Sequence, residues 1–288
     1  MNNNLVVKNL TKLYKSGKGI HEINFELGKG MIMGIIGLNG AGKTTLLNAL
    51  TGQLKYDSGT IHYNINGEHF KKPNQKLMDY LGIVSEDYGF PDHFSAKTVS
   101  KIMNSNYRNW DQKRFMEILD QLELDFNLKT SKYSSGMKTK LALAIALSHN
   151  AKILILDEAT KGLDIRACSR VRDLLHSFVS SGENSVLLTS HVLGEIERVA
   201  DTIMLIEFGK VQFINNKDDL LYQHKIFQIT SEQLEEMNKQ DIYRIRRLDY
   251  AIYIIAKDSK EFSTKYKIEA VSSSLDRVIE IILEGDAV

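Results

Sequence analysis

A glycine-rich segment constrains the fold of this chain more than any other feature. Residues 37–44 have the sequence GLNGAGKT; the apolar stretch Met31–Ile36 precedes them and a helical stretch, Thr45–Thr51, follows. Glycines let backbone N–H groups converge on an anion, and a helix N-terminus presents the positive end of its dipole. A strand, a turn of this kind and a helix therefore predict the start of an α/β unit that binds the phosphates of a nucleotide.

The pattern G-x-x-x-x-G-K-[ST] also predicts a role for each polar residue. Lys43 is predicted to reach the β- and γ-phosphates, and Thr44 is predicted to bind Mg²⁺ through its hydroxyl group. The other residues predicted to bind the nucleotide in this segment are Gly37, Asn39, Gly40, Ala41, Gly42 and Thr45. We therefore expect a nucleoside triphosphate and Mg²⁺ as the ligands.

Two acidic residues follow a second apolar strand. Ile153–Leu156 leads directly into Asp157 and Glu158. Open α/β sheets bind ligands at the C-terminal ends of their strands, so Asp157 is placed to hold Mg²⁺ and Glu158 to polarise the attacking water as a general base. Alone, the pair is equally compatible with a strand end solvated by two acids. The glycine-rich segment upstream favours the functional interpretation.

Composition limits the class of protein. A chain of 288 residues with 43% hydrophobic and 25% charged residues is typical of a folded globular protein. The net charge of +1 argues against a general nucleic-acid binder, and the one cysteine, Cys168, excludes a disulfide framework. We expect no signal peptide, and no apolar run approaches the roughly 20 residues that span a bilayer. If the protein works at a membrane, a partner must supply the spans.

The hydrophobic pattern changes along the chain. Continuous apolar strands separated by helical segments predict a parallel sheet covered on both faces. Residues of about 85–150 are predicted to be mainly helical, and a small α+β appendage is predicted from about residue 220 onward. The elements predicted in the appendage are strands Lys225–Ile229, Tyr243–Arg247 and Tyr250–Ile255, and helices Glu232–Lys239 and Asp276–Leu283. We predict one domain over 1–219, with a helical subdomain at about 85–150, and an accessory domain over 220–288.

A short motif between the two nucleotide motifs resembles the signature of the ABC (ATP-binding-cassette) family. Residues 133–138 have the sequence YSSGMK, and the usual form of the signature is LSGGQ. Ser134 and Gly136 match, whereas Ser135 replaces a glycine and Met137 replaces the glutamine. A serine at a helix N-terminus still forms an anion site. The resemblance implies that Ser134 and Gly136 contact the γ-phosphate held by the second subunit of a dimer.

Further motifs match the same family in the same order. Residues 159–164, ATKGLD, resemble the D-loop, which communicates across the dimer and ends here at Asp164. Residues 189–191, TSH, resemble the switch motif, which implies that His191 contacts the γ-phosphate. Tyr14 matches the aromatic residue that stacks on adenine. The resemblance covers residues of about 5–215, and the chain is identified as a member of the family on this basis.

One position departs from the family pattern. The family usually carries a glutamine after the phosphate loop that touches Mg²⁺ and links to the membrane partner, and Glu86 stands at that place here. A carboxylate can bind Mg²⁺ at least as well as an amide. The resemblance therefore implies that Thr44, Glu86 and Asp157 hold the metal ion. The alternative is that Glu86 is solvated and the register differs by one residue.

The resemblance also implies a fold and a cellular role. The implied fold is an α/β P-loop NTPase with a RecA-like core, an antiparallel β subdomain and a helical signature subdomain. The signature form is similar to that of bacterial peptide and antibiotic exporters of the bacitracin and phenol-soluble-modulin type. We therefore expect a cytoplasmic ATPase, peripheral on the inner face of the membrane, that binds ATP and Mg²⁺. Its expected partners are an integral membrane subunit and a second ATP-binding subunit, identical or different.

Three other functions remain open from the sequence. A soluble ABC ATPase that is not coupled to transport, such as an assembly-type ATPase, is one alternative. An importer ATPase is a second, although the appendage is short for the regulatory domain of sugar importers. A degenerate regulatory subunit is a third, and the presence of Lys43, Asp157, Glu158 and His191 argues against it.

Overall fold

The structure is a computed structural model, and it describes residues 3–85, 89–190, 192–272 and 274–287. The chain divides into two compact units, Met1–Ile214 and Asn215–Val288. The sequence predicts a division a few residues later, after residue 219.

Ten strands and seven α-helices lie in the described part of the chain up to residue 216. The strands are β1 (Asn3–Leu13), β2 (Gly19–Gly28), β3 (Ile32–Ile36), β4 (Ser58–Ile65), β5 (Glu68–Phe70), β6 (Leu81–Val84), β7 (Ile153–Asp157), β8 (Ser185–Thr189), β9 (Thr202–Glu207) and β10 (Lys210–Asn216). The helices are α1 (Lys43–Leu50), α2 (Gln75–Met78), α3 (Ala96–Asn106), α4 (Gln112–Gln121), α5 (Ser135–Ala146), α6 (Ile165–Val179) and α7 (Leu193–Val199).

A six-stranded sheet forms the centre of the first unit. Its strand order is β10-β9-β3-β8-β7-β6, and the pairings from β9 through to β6 are parallel. Every residue of β3, β7 and β8 is buried, as expected for strands covered on both faces. The predicted parallel sheet is confirmed. Because the strands are parallel, the C-terminal ends of β3, β7 and β8 lie at one edge of the sheet.

A second, antiparallel sheet has the order β2-β1-β4-β5. Buried and more exposed residues alternate along much of β2 and β4, which is typical of a sheet with one face on the core. One hydrophobic cluster joins this face, helix α1 and the six-stranded sheet through residues such as Phe25, Leu46 and Ile155. This packing fixes α1 between the two sheets.

Helices α3, α4 and α5 form the segment between β6 and β7. Ser95, Asp111 and Ser134 cap their N-termini, each through a side-chain oxygen that accepts a backbone N–H three residues further on. On α4, Phe115, Ile118 and Leu119 form one buried stripe. The helical pattern predicted for this segment is confirmed.

The second unit is a small α+β structure. Its strands are β11 (Ile226–Ile229), β12 (Ile242–Leu248), β13 (Ala251–Ala256) and β14 (Asp286–Ala287), and its helices are α8 (Lys217–Gln223), α9 (Ser231–Glu236), α10 (Ser259–Tyr266) and α11 (Leu275–Glu284). The sheet is antiparallel with the order β11-β13-β12-β14. Helix α9 begins at a capping box formed by Thr230 and Gln233.

Helix α10 is one of three elements of this unit, with α8 and β14, that the sequence does not predict. Its polar sequence, SKEFSTKY, carries one buried large apolar side chain, Phe262, which packs against Phe227 with ring centroids 4.8 Å apart. Asp258 starts the helix by accepting the backbone N–H groups of Lys260 and Glu261.

Within the described residues, no helix combines the length and the apolar character needed to cross a membrane.

Candidate nucleotide-binding and catalytic site

A cleft of about 620 Å³ opens at the edge where β3 and β7 end. It is lined by Tyr14, Ser16, Lys18, Gly19, Asn39, Gly40, Gly42, Lys43, Thr44, Thr45, Glu158 and Lys161. The structure therefore brings together residues from three distant parts of the sequence, all of them polar or small.

The glycine-rich loop between β3 and α1 has the form that its sequence predicts. Gly42 lies just before α1 with a φ of 109°, which side chains disfavour. A Cβ atom on Gly37 would lie 2.3 Å from the carbonyl oxygen of Ile206. Gly42 needs its backbone freedom and Gly37 needs its lack of a side chain. Together they allow the loop to turn sharply and leave the first turn of α1 facing the cleft.

Lys43 is the buried cation of the site. Its ammonium nitrogen donates to the carbonyl oxygen of Gly37 at 2.7 Å and contacts that of Leu38 at 3.4 Å. Burial lowers the pKa of Lys43, and the nearby Glu158 and Asp157 carboxylates oppose this effect. Thr44 is exposed on the first turn of α1, so its hydroxyl is accessible from the cleft.

The acidic side of the site is formed where β7 and β8 end. Asp157 is buried, and its Oδ1 accepts a hydrogen bond from the Thr189 hydroxyl group at 2.6 Å. The same hydroxyl oxygen accepts the backbone N–H of Glu158 at 3.1 Å. Glu158 has a φ of 53°, in the left-handed region, and its side chain faces the cleft. The predicted base and the predicted Lys43 therefore share one cavity.

Tyr14 also lines the cleft. Its side chain is 44% exposed, which leaves a flat aromatic face available for contact. The loop that follows is closed by hydrogen bonds from Tyr14 N to Lys18 O at 2.8 Å and from Gly17 N to Tyr14 O at 2.9 Å. This placement supports the stacking role that the resemblance implies.

Four of the lining residues are not among those predicted to bind the nucleotide. Ser16, Lys18 and Gly19 follow Tyr14, and Lys161 follows the acidic pair. Proximity in sequence to Tyr14 and Glu158 is the signal that could have identified them. Two cations, Lys18 and Lys161, thus add positive charge to the walls of a cleft predicted to hold a polyphosphate.

The signature residues lie outside this cleft. Ser134 is exposed and caps α5 by accepting the N–H of Met137 at 3.2 Å. Gly136 is buried, and a Cβ atom there would lie 2.3 Å from the carbonyl oxygen of Gly162. The start of α5 is thereby held against the 159–164 segment of the same chain. This placement leaves the Ser134 hydroxyl at the surface, where a second molecule can reach it.

Three predicted site residues have other surroundings. Asp164 caps α6 by accepting the N–H of Ala167 at 2.8 Å, and this bond is the main cause of its lowered pKa. Ala41 is buried beneath the loop, and its carbonyl oxygen accepts the N–H of Gly209. Gly37 is not among the lining residues of the cleft, and its carbonyl oxygen accepts a hydrogen bond from the Lys43 ammonium group. Two further predicted residues, Glu86 and His191, lie outside the described residues.

Comparison with known proteins identifies the family. The family model described as ABC transporter matches residues 20–161. The bacitracin transport ATP-binding protein BcrA of Bacillus licheniformis is 32% identical over 252 residues, which cover 86% of this chain and 81% of that protein. The lantibiotic transport ATP-binding protein SrtF of Streptococcus pyogenes is 30% identical over 246 residues, which cover 84% of this chain and 100% of that protein.

Solved structures agree in fold. A structure of the ATP binding subunit of an ABC transporter matches with a TM-score of 0.69 and 23% identity over 76% of this chain and 92% of that chain. The dimeric cassette MJ0796, in a post-hydrolysis state bound to ADP and Pi, matches with a TM-score of 0.64 and 23% identity over 74% of this chain and 98% of that chain. At this identity the likeness shows the fold alone. The relatives, together with the phosphate loop, show that the chain belongs to the ABC transporter ATP-binding proteins and is an ATP-binding and ATP-hydrolysing subunit.

Proposed function

We propose that this chain powers the export of a peptide or antibiotic through a separate membrane-embedded subunit, and that it works as one of two paired cassettes. The ATPase part of this proposal rests on the cleft, which both Lys43 and Glu158 line. The export half rests on relatives at about 30% identity that are named for bacitracin and lantibiotic transport.

The residues at the cleft fit ATP and Mg²⁺. Mg²⁺ prefers oxygen ligands, and the Thr44 hydroxyl and the Asp157 carboxylate supply them, together with Glu86 in the sequence-based prediction. The bound ion would neutralise charge on the β- and γ-phosphates. Lys43 lies beside both carboxylates, which keeps a positive charge next to the phosphates. The Tyr14 ring, which also lines the cleft, would stack on the adenine.

Glu158 is the residue proposed to activate water. Its carboxylate accepts a proton from the water that attacks the γ-phosphate, and Lys43 stabilises the charge that develops on the phosphate oxygens. The backbone of Glu158 is fixed by Thr189, so its carboxylate is directed to the cleft before ATP arrives. In the sequence-based prediction, His191 adds a contact to the γ-phosphate.

The placement of the signature supports the proposed pairing of two cassettes. Ser134 is exposed and lies outside the cleft of its own chain, so its proposed target is the nucleotide held by a second copy or by a related cassette. ATP then contacts both subunits and favours the closed pair. Hydrolysis removes the bridging γ-phosphate, and the pair can reopen. We propose that this motion is passed to the membrane subunit.

The substitution Glu158→Gln tests this function. We expect kcat for ATP hydrolysis to fall by roughly 100- to 10,000-fold, because the amide cannot accept the proton, while the affinity for ATP stays close to that of the wild type. A phosphate-release assay gives kcat. Light scattering with and without ATP reports dimer formation, and the ATP-driven dimers of the variant should persist and even accumulate. Normal turnover in Glu158→Gln would refute the assignment of the base.

A further inference from the structure

We propose that Thr189 is a positioning residue that sets the orientation of the Glu158 carboxylate for hydrolysis. This inference rests on the proposed role of Glu158 as the base. Thr189 is the last residue of β8 and is almost fully buried. It pairs with Asp157, the last residue of β7, in the parallel register of the two strands.

The two hydrogen bonds of this hydroxyl define its role. An ionised carboxylate can only accept a hydrogen bond and a backbone N–H can only donate one. The Thr189 hydroxyl must therefore donate to Asp157 Oδ1, at 2.6 Å, and accept from the Glu158 N–H, at 3.1 Å. One oxygen atom thus joins the proposed metal ligand to the backbone of the proposed base, and its single hydrogen has a fixed direction.

The backbone of Glu158 needs this support. Its φ of 53° lies in a region that residues with a side chain rarely adopt, and such conformations persist only where the surroundings impose them. The pairing of β7 with β8 ends at Asp157, so the Glu158 N–H lies just beyond the ladder. Without the hydroxyl, this N–H would lose a hydrogen bond that helps to hold the residue in its unusual conformation, and we expect the carboxylate direction to change with it. The hydrogen bond from the Lys161 N–H to the Glu158 carbonyl oxygen, at 3.0 Å, would remain.

A second contact fixes the other side of the same turn. Glu195, in the first turn of α7, accepts a hydrogen bond from the Ser190 hydroxyl group at 2.8 Å and another from the Thr160 hydroxyl group. The segment after Glu158 is therefore tied to the segment after Thr189 independently of the Thr189 hydroxyl. For this reason we expect loss of that hydroxyl to act locally on Glu158 and to leave the rest of the turn in place.

Two other buried threonines of the chain donate to backbone carbonyl oxygens. The hydroxyl of Thr130 donates to the backbone carbonyl of Pro91, and that of Thr139 donates to the backbone carbonyl of Ser135. Thr189 differs because its partners are a proposed metal ligand and the proposed base. Its contacts therefore indicate a role in the reaction rather than in helix or loop closure.

The test compares Thr189→Val, which removes the hydroxyl at nearly constant volume, with Thr189→Ser, which retains it. We expect Thr189→Val to lower kcat by about 10- to 100-fold, because small displacements of a catalytic group have effects of this size. KM and the affinity for a fluorescent ATP analogue should change less than about threefold. Thr189→Ser should restore kcat to within about threefold of the wild type. If the valine variant does not fold, Thr189→Ala should show the same loss of kcat.

A matched control is Thr202→Val. Thr202 is another buried threonine of the same sheet, but it begins β9 and therefore lies at the edge away from the cleft. The kcat of the Thr202→Val variant should equal that of the wild type. Thr189→Val or Thr189→Ala with wild-type kcat, or Thr189→Ser as slow as the valine variant, would overturn this inference while Glu158→Gln stays inactive. Normal turnover in Glu158→Gln would overturn the proposed base and this inference together.

Discussion

His149 is a buried histidine that follows helix α5 and lies against the start of strand β6. Its ring stacks on Tyr107 with centroids 4.1 Å apart, and its two nitrogens face the carbonyl oxygens of Ile145 and Leu81 at 3.0 and 3.1 Å. A neutral imidazole has one N–H, so it can satisfy only one of these acceptors. Burial lowers the pKa of His149, and the hydrogen bonds to the two carbonyls and the charge of Asp79 oppose this as smaller effects.

The lowered pKa predicts a pH dependence of stability. The folded state resists protonation of His149, whereas the unfolded chain takes up that proton below a pH of about 6.5. Because the unfolded state binds more protons in this range, the stabilisation is present above that pH and is lost as the pH falls toward the lowered folded pKa. Urea unfolding at pH 7.5 and 5.5 should show a larger loss of free energy of unfolding in the wild type than in His149→Gln. Equal losses in both proteins would contradict this expectation.

At the scale of elements, the start of α5 approaches the 159–164 segment closely near the site. Gly136 lies so near the carbonyl oxygen of Gly162 that a Cβ atom would come within 2.3 Å of it. The hydroxyl of Thr139 on the next turn also contacts the carbonyl oxygen of Lys161, at 3.4 Å. The helix that carries the signature therefore packs directly against the turn that follows the proposed base.

The substitution Gly136→Ala should force these two segments apart. We expect a loss of about 1–3 kcal/mol in the free energy of unfolding, as found when a methyl group is inserted into a well-packed contact. Thermal and urea unfolding give this quantity. Gly28→Ala is a suitable control, because its added Cβ would approach the flexible tip of the Met31 side chain at 3.3 Å and would otherwise make ordinary contacts, with Asn3 Oδ1 at 3.8 Å and Met31 Cβ at 3.9 Å. A Gly136→Ala protein as stable as Gly28→Ala would show that the turn moves aside without cost.

At the scale of the whole molecule, the two compact units differ in their relation to the cleft. Every described residue that lines the cleft belongs to the first unit, Met1–Ile214. The second unit has its own hydrophobic cluster, which includes Phe227, Ile254 and Phe262. It therefore has the internal packing of a separate small domain.

A membrane partner is the whole-molecule prediction of the proposed function. Tagged chain purified in mild detergent from its own host should retain a protein with several membrane spans. Mass spectrometry of the purified complex identifies that subunit, and the Glu158→Gln variant serves as a parallel sample because it should stay in the ATP-bound state. Recovery of an active ATPase that repeatedly lacks a membrane subunit would favour the soluble, transport-independent alternative.

The parts of this protein that the sequence predicts are those that depend on neighbours along the chain. The glycine-rich loop follows from local backbone geometry, and the strand that ends in Asp157 follows from an apolar run. The capping box at Thr230 and Gln233 also follows from a spacing of three residues. Helix α10 escaped prediction because Phe262 alone carries its buried face, and the hydrophobic periodicity is too weak to be seen.

Local sequence by itself thus determined the phosphate loop, the acidic strand end and the family of this protein, because each is encoded within a few consecutive residues. The tertiary structure alone decided that the Thr189 hydroxyl lies between Asp157 and the Glu158 N–H, since these residues are 31 to 32 positions apart. It also decided that Gly136 meets Gly162. The physical reason is that such contacts depend on which strands become neighbours in the sheet, and strand order is a property of the packed chain as a whole.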